Sequence, residues 1–337
     1  MIIVFTQKIN RKETGYGNVA QKNEKSISGA IKVNEKEVME HLDGLIRKSV
    51  EDTMYLAGVS VRWVEDITEA LWNTRVSSST ISDLNEKIYG KIEEWRMRPI
   101  HGEHPYIFLD GVYLKRSWGG EVSNVSVLVA VGVNEEGYRE ILGIAEESRE
   151  DKESWTNFLR YLKNRGLSGV KLIVSDKCSG LHGIIGDFFP DAKWQRCVVH
   201  WYRNAFTMSP WKHVKSIAAM LKAIHAQEDK DAAREKAKLV IGKLRKMNLN
   251  KVAEFIESSV EETLSYMDFP YEHWIRLRTN NALERIMKEI RRRTRVIGAF
   301  PDGYSAMMLV GARLRHISTT KWGTRLYLNT CKLYKTV

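Results

Sequence analysis

YIFLDGVYLKR (106–116), NVSVLVAVGVN (124–134) and REILGIAEES (139–148) decide the fold. Each run is rich in β-branched and aromatic residues, and Gly and Asn turns divide them, so they predict three strands in a meander. KESWTNFLRYLKNRG (152–166) follows as a helix and VKLIVSD (170–176) as a fully buried, parallel-type strand. Another helix is expected over roughly 179–188, then a fifth strand over AKWQRCVVH (192–200). A meander followed by helix, strand, helix, strand is an α/β pattern with a mixed sheet.

Outward from this stretch the period changes to that of helices. Between Pro210 and Pro270 lie 59 residues with no Pro and a single Gly, Gly242, rich in Ala, Lys, Glu and Leu, which predicts an all-helical block. HWIRLRTNNALERIMKEIRRRTR (273–295) then returns as an amphipathic helix, with Leu283, Ile286, Met287 and Ile290 as its buried stripe. Upstream, the Lys/Asn/Ser-rich residues to about Glu35 read as a loose arm, and Val38, Leu42, Ile46, Val50 and Met54 recur at helical spacing. VRWVEDITEALW (61–72) and STISDLNEKIYGKIEEW (79–95), divided by NTRVS, outline a helix-turn-helix, with Ser77 or Ser78 as N-cap and Ser78 and Thr80 as candidate DNA contacts. Any helical hairpin gives the same pattern.

The pattern alone divides into an arm over 1–37, a helical, helix-turn-helix-like region over 38–98, an α/β part over 100–204, a helical block over 205–272 and a last helical part over 273–330. With 337 residues, 43% of them hydrophobic, the chain can bury a sizeable core. Three Cys suit a reducing compartment rather than a stapled secreted scaffold. The longest mainly apolar run, Val125 to Val133, is too short to cross a bilayer, and Lys8, Arg11 and Lys12 cut off the apolar MIIVF start. Membrane, secreted and fibrous classes drop out, leaving the cytoplasm as the expected location.

A formal net charge of +11 points to a polyanionic partner. Twelve Lys/Arg and three acids fall between Arg276 and Arg325, so most of that charge is here. Arg291, Arg292, Arg293 and Arg295 lie on nearly every side of one helix and cannot all pack. Such a run is either a solvated face or a phosphate-neutralising surface, whose counterion release makes binding salt-dependent.

Asp110 ends the apolar run IFLD and Asp176 ends KLIVSD. Asp often terminates strands as a turn residue. A carboxylate at the C-terminal end of a buried strand also stands at the sheet edge where open α/β sheets bind ligands, and two on one pattern favour a site. Two ionised carboxylates at bonding distance need a cation between them, and Mg2+ or Mn2+ suits oxygen donors. Glu284 sits beside the apolar stripe of its helix, with Lys288 and Arg291 on the same face at i+4 and i+7. It reads either as the partner of Lys288 in an ordinary salt bridge or as a third ligand. Three carboxylates with two divalent ions form a clamp for in-line phosphoryl transfer.

FLDGVYLK, the VKLIVSD block, QRCVVHWYRN and RTNNALERIMKEIRRRTRVIGAFPDG resemble bacterial Mutator-type insertion-sequence transposases, in the family's order, from about residue 40 to 330. The resemblance implies an RNase H-like core carrying a DDE triad of Asp110, Asp176 and Glu284, with a helical insertion before Glu284. It implies metal-dependent cleavage at transposon ends and strand transfer into target DNA, by a homodimer or higher oligomer on the DNA. The first 40 residues, Lys177-Cys178 and Met287 depart from the family's pattern; the N-terminal departure keeps a DNA-binding relic or regulator as the alternative. A structure-specific nuclease would share the core.

Cys197-Val-Val-His200 belongs to the resemblance. Cys178, His182, Cys197 and His200 have the spacing of a four-ligand zinc site, but a buried Cys197 and a His200 lining the carboxylate pocket or touching DNA are preferred. Arg203, from the same stretch, joins Lys288, Arg291, Arg292, Arg293 and Arg295 as an expected DNA contact. Trp118, Trp194 and Trp201 read mainly as core residues. No G-x-S-x-G elbow or P-loop is present.

Overall fold

The computed structural model describes residues 89–118, 121–177, 180–297, 300 and 303–334; the arm, most of the helix-turn-helix reading, Ser78 and Thr80 lie outside the described residues. A helical segment over 89–97 leads into the sheet. Strands β1 (Tyr106–Trp118), β2 (Glu121–Val133) and β3 (Arg139–Glu147) form the antiparallel meander, and β4 (Leu172–Ser175) and β5 (Lys193–Arg196) add to it in parallel. The order is β3-β2-β1-β4-β5, a mixed five-stranded sheet in an α/β fold.

Alternation along β1 feeds two cores. Tyr106, Phe108, Val112 and Leu114 enter one apolar cluster and Ile107 and Leu109 the other, as a strand's two-residue period demands. The second cluster is closed by α1 (Lys152–Asn164), whose Trp155, Phe158, Leu159 and Leu162 are buried, and whose N-cap Asp151 accepts from Ser154 N at 3.0 Å. The first cluster is covered by α2 (Val198–Thr207), α3 (Val214–Ile224), α4 (Lys230–Lys246), α5 (Asn250–Ser259), α6 (Asn281–Ile297) and α7 (Gly303–Ser318). Apolar residues of α3 to α5 thus join the same buried cluster as the sheet.

Two strand expectations need correction. The fifth strand stops at Arg196, and Val198, Val199 and His200 are helical. The β-branched pair favours a strand locally, but β5 has β4 as its partner only as far as Ser175, and the last bridging bond is Cys197 N to Ser175 O at 2.8 Å. Asp110 does not end its strand, because β1 runs on to Trp118 with β2 beside it. It stands instead just past the end of the parallel pairing with β4, which spans Tyr106 to Phe108. The helix expected over 179–188 is a 3-10 turn, His182–Ile184, followed by a single helical turn, Ile185–Phe188. Among the described residues no helix is long and apolar enough to cross a membrane.

Candidate active site

The register of β1 on β4 pairs Phe108 with Val174, and carrying it two residues further brings Asp110 level with Asp176. Both lie at the C-terminal edge of the parallel pair. Asp110 shares the face of Phe108 and Val112, the side covered by α6, which carries Glu284 one turn from its start. Asn280, fully buried, fixes that start: its Nδ2 donates to Leu109 O at 3.1 Å, its backbone N–H reaches Cys197 Sγ at 3.3 Å, and its carbonyl accepts from Glu284 N at 2.9 Å. Arg278 O also accepts from Val198 N at 3.0 Å. One asparagine therefore joins β1, the head of α2 and the head of α6, which carry Asp110, His200 and Glu284.

His200, one turn into α2, closes the site. Its Nδ1 lies 3.3 Å from Asp176 Oδ2 and its Nε2 3.1 Å from Glu284 Oε1. The Glu284 carboxylate raises the imidazole above its ordinary pKa against the opposing effect of burial, with Asp176 and Asp110 adding to the rise. His200 in turn holds Glu284 below the usual carboxylate range, helped by Arg203 and Arg291. Burial pushes Asp110 up to about 6, while the Gly111 N–H at 2.9 Å, His200 and Arg291 oppose it and Glu150 adds to it. A Cβ at Gly111 would press on the end of the Glu150 side chain, which would have to swing aside.

The expected salt bridge of Glu284 with Lys288 gives way to the pair with His200. Lys288 and Arg291 are exposed on α6, and Arg291 is near enough to act on both Asp110 and Glu284; Arg203 is exposed on α2. Arg295 is exposed in the last turn of α6, and the Arg293 side chain lies outside the described residues. Arg292 instead pairs with Glu289, at 2.9 and 2.8 Å, and Glu289 also takes Arg313 at 2.8 Å. This exposed i,i+3 pair is weak, so Arg292 stays a candidate backbone contact, on a face turned from the acids. Trp194 and Trp201 are core residues that donate to Ser175 Oγ at 2.9 Å and Ser259 Oγ at 2.8 Å; the Trp118 side chain lies outside the described residues.

Donor chemistry separates two metal readings. Cys197, His200 and Glu284 have donor atoms all within 4.8 Å of one another. Burial, however, raises the Cys197 thiol against the lowering effect of the Asn280 N–H on its sulfur, so the metal-free protein disfavours the thiolate that a zinc ligand must be. Cys178 lies outside the described residues, and the His182 ring packs against Trp194 at 4.3 Å. The carboxylates fit better. Glu284 Oε1 is buried beside the His200 imidazole, burial disfavours the Asp110 anion in the absence of a cation, and oxygen donors are what Mg2+ or Mn2+ takes.

Three acids around an imidazole at a sheet edge, rimmed by Arg203 and Arg291, define a site able to hold a divalent cation against a polyanion. The description "Transposase, Mutator family" matches residues 41–323, and the chain belongs to that family. It is 40% identical over 268 residues to a transposase for insertion sequence element IS1081 of Mycobacterium tuberculosis, covering 79% of this chain and 64% of that relative. It is 38% identical over 259 residues to one for ISRM5 of Rhizobium meliloti, covering 77% of this chain and 65% of the relative. To one for IS256 in transposon Tn4001 of Staphylococcus aureus it is 36% identical over 280 residues, covering 82% and 71%. The chain spans a little under two thirds of the first two relatives' lengths.

Sequence reasoning singled out the three acids and His200 but missed two neighbours. Asn280 was visible only as part of a polar TNN run before the helix, a signal that an N-cap region was there. Glu150 gave none, because its approach to Gly111 depends on how the β3–α1 loop folds back.

Proposed function

We propose that this chain is a DDE-type DNA transposase that cleaves transposon ends and transfers the strand into target DNA. The observation that carries the reading is the convergence of Asp110, Asp176 and Glu284 on His200 at one sheet edge, within a chain of the Mutator family. The sheet order, with an antiparallel meander and two added parallel strands, supports an RNase H-like core, and the helices of 205–272 are read as an insertion within it.

Asp110, Asp176 and Glu284 are the residues that would hold Mg2+ or Mn2+, two ions in the reacting complex. Bound there, the ions supply an activated attacking oxygen and a stabilised leaving oxygen. The chain's own groups do the rest. Asn280 fixes the spacing of the acids. His200, whose charged form Glu284 and Asp176 favour, offsets their repulsion when protonated and is placed to hold a proton or a phosphate oxygen when DNA enters. Arg203, Lys288 and Arg291 rim the acids and would grip the backbone near the scissile phosphate, with Arg295 and Arg293 further along. DNA is the partner, bound by a homodimer or higher oligomer.

The test is an in vitro reaction of purified protein with Mn2+ and the DNA ends flanking its own coding sequence. Cleaved ends joined to a target plasmid are the expected products. Cleavage without joining would make it a nuclease, and binding without cleavage a DNA-binding regulator.

A further inference from the structure

Glu262 serves two cations of unlike setting. On the 3-10 turn Glu261–Thr263, it accepts from Arg196 Nη1 at 2.9 Å and from Lys177 Nζ at 2.6 Å. The Arg196 side chain is 4% exposed and its guanidinium lies over the Phe255 ring, whereas that of Lys177 is 49% exposed. The acid itself cannot follow a departing lysine. Gln195, fully buried, clamps its segment, donating from Nε2 to Thr263 O at 3.0 Å and accepting at Oε1 from Tyr266 N at 2.9 Å.

Arg196 alone therefore compensates Glu262, and Lys177 is the removable cation. An exposed ion pair shifts an equilibrium by roughly fivefold or less, so releasing Lys177 costs little. Its place is fixed all the same, because its backbone N–H donates to Asp176 Oδ1 at 2.7 Å. A mobile ammonium one residue from a carboxylate of the site matches what a backbone phosphate needs.

We propose that Lys177 is a DNA-phosphate contact of the reacting centre, held on Glu262 in the free protein and transferred to a phosphate beside Asp176 when DNA binds. The proposal rests on the transposase reading above, and it adds to the arginine rim a contact from the far side of the acids. Glu262 is then a positioning residue that keeps the ammonium from closing on the carboxylates before DNA arrives.

The experiment compares wild type with Lys177→Gln, Lys177→Arg and Glu262→Gln, using a short duplex at several salt concentrations and single-turnover cleavage of the flanking ends with Mn2+. Lys177→Gln is expected to lower the log–log salt slope by about 0.9. It should slow cleavage several-fold, with a melting temperature near that of the wild type. Lys177→Arg should restore both readouts. Glu262→Gln should tighten DNA binding, since the amide still bonds Arg196 but holds the lysine less strongly. Lys177→Gln with wild-type slope and rate, while Asp110→Asn abolishes cleavage, would overturn the contact and leave the transposase reading intact. A wild type that never cleaves, with a slope still set by Lys177, would contradict the transposase reading and keep the contact. Weaker binding by Glu262→Gln together with a lowered melting temperature would reduce the pair to a structural one.

Discussion

Asp110, Asp176 and Glu284 are placed where their charges oppose one another, with a single imidazole between two of them. Asp110 shows the cost most directly, because burial and the nearby Glu150 hold its carboxyl at about 6, above the ordinary carboxylate range. A raised carboxyl pKa means that the fold disfavours the anion. The penalty is full above about pH 6 and vanishes below about pH 4, where both folded and unfolded forms are protonated. In metal-free protein at neutral pH, Asp110→Asn should therefore raise stability, by about 2 kcal/mol, while abolishing cleavage. Denaturant melts at pH 7.5 and pH 4 check the first statement and single-turnover assays the second. Asp176→Ala and Glu284→Ala should likewise abolish cleavage with the fold kept, and a variant cleaving at the wild-type rate would remove its residue from the site. His200→Ala should slow cleavage strongly, and stoichiometric zinc in the purified wild type would revive the thiolate reading instead.

Helix α6 divides its cations between the site and itself. Arg291 faces the acids, and its loss to Ala should lower the salt slope by about 0.9 and also slow cleavage. Arg292, paired with Glu289 on a face turned from the acids, should lower the slope but leave cleavage near the wild-type rate at low salt; an equal loss of cleavage in both variants would contradict the division. The helical block carries its own pH dependence through His225, whose ring meets Tyr202 Oη at 3.0 Å and Thr263 Oγ1 at 2.8 Å. Burial lowers its pKa to about 4, so the folded state keeps the ring neutral while the unfolded chain takes up a proton near pH 6.5. Stability from this residue is complete above about pH 6.5 and declines as pH falls toward 4, by about 3 kcal/mol. His225→Gln should flatten that part of a stability-against-pH curve. At this scale much was legible beforehand, since β-branched runs, Pro brackets and the Leu283 to Ile290 stripe marked five strands, the helical block and α6. Local pattern failed at Val198-Val199-His200, where strand propensity lost to the end of the β4 partner. His200 was still read as lining the carboxylate pocket, but its two-sided contact with Asp176 and Glu284 comes from its place in the first turn of α2. The length of β1 was hidden too, because its extension past Asp110 depends on pairing with β2.

Across the whole molecule, one buried cluster runs from the sheet through α2 to α7, so the helices of 214–259 are tied by packing to the strand that carries Asp110. Arg196, Gln195 and Glu262 add a polar seam at β5, next to the strand that ends in Asp176. The charge concentrated between Arg276 and Arg325 lies on α6, α7 and the segments before and after them, and Glu289 pairs with Arg292 and Arg313. The account as a whole stands on those three acids forming one divalent-ion clamp, and Mn2+ titration of the protein bound to its own end DNA measures that directly. Wild type should take up two ions per site, and Asp110→Asn, Asp176→Asn and Glu284→Gln should each lose at least one while still binding the DNA. Unchanged Mn2+ uptake in any of the three variants would contradict the shared clamp.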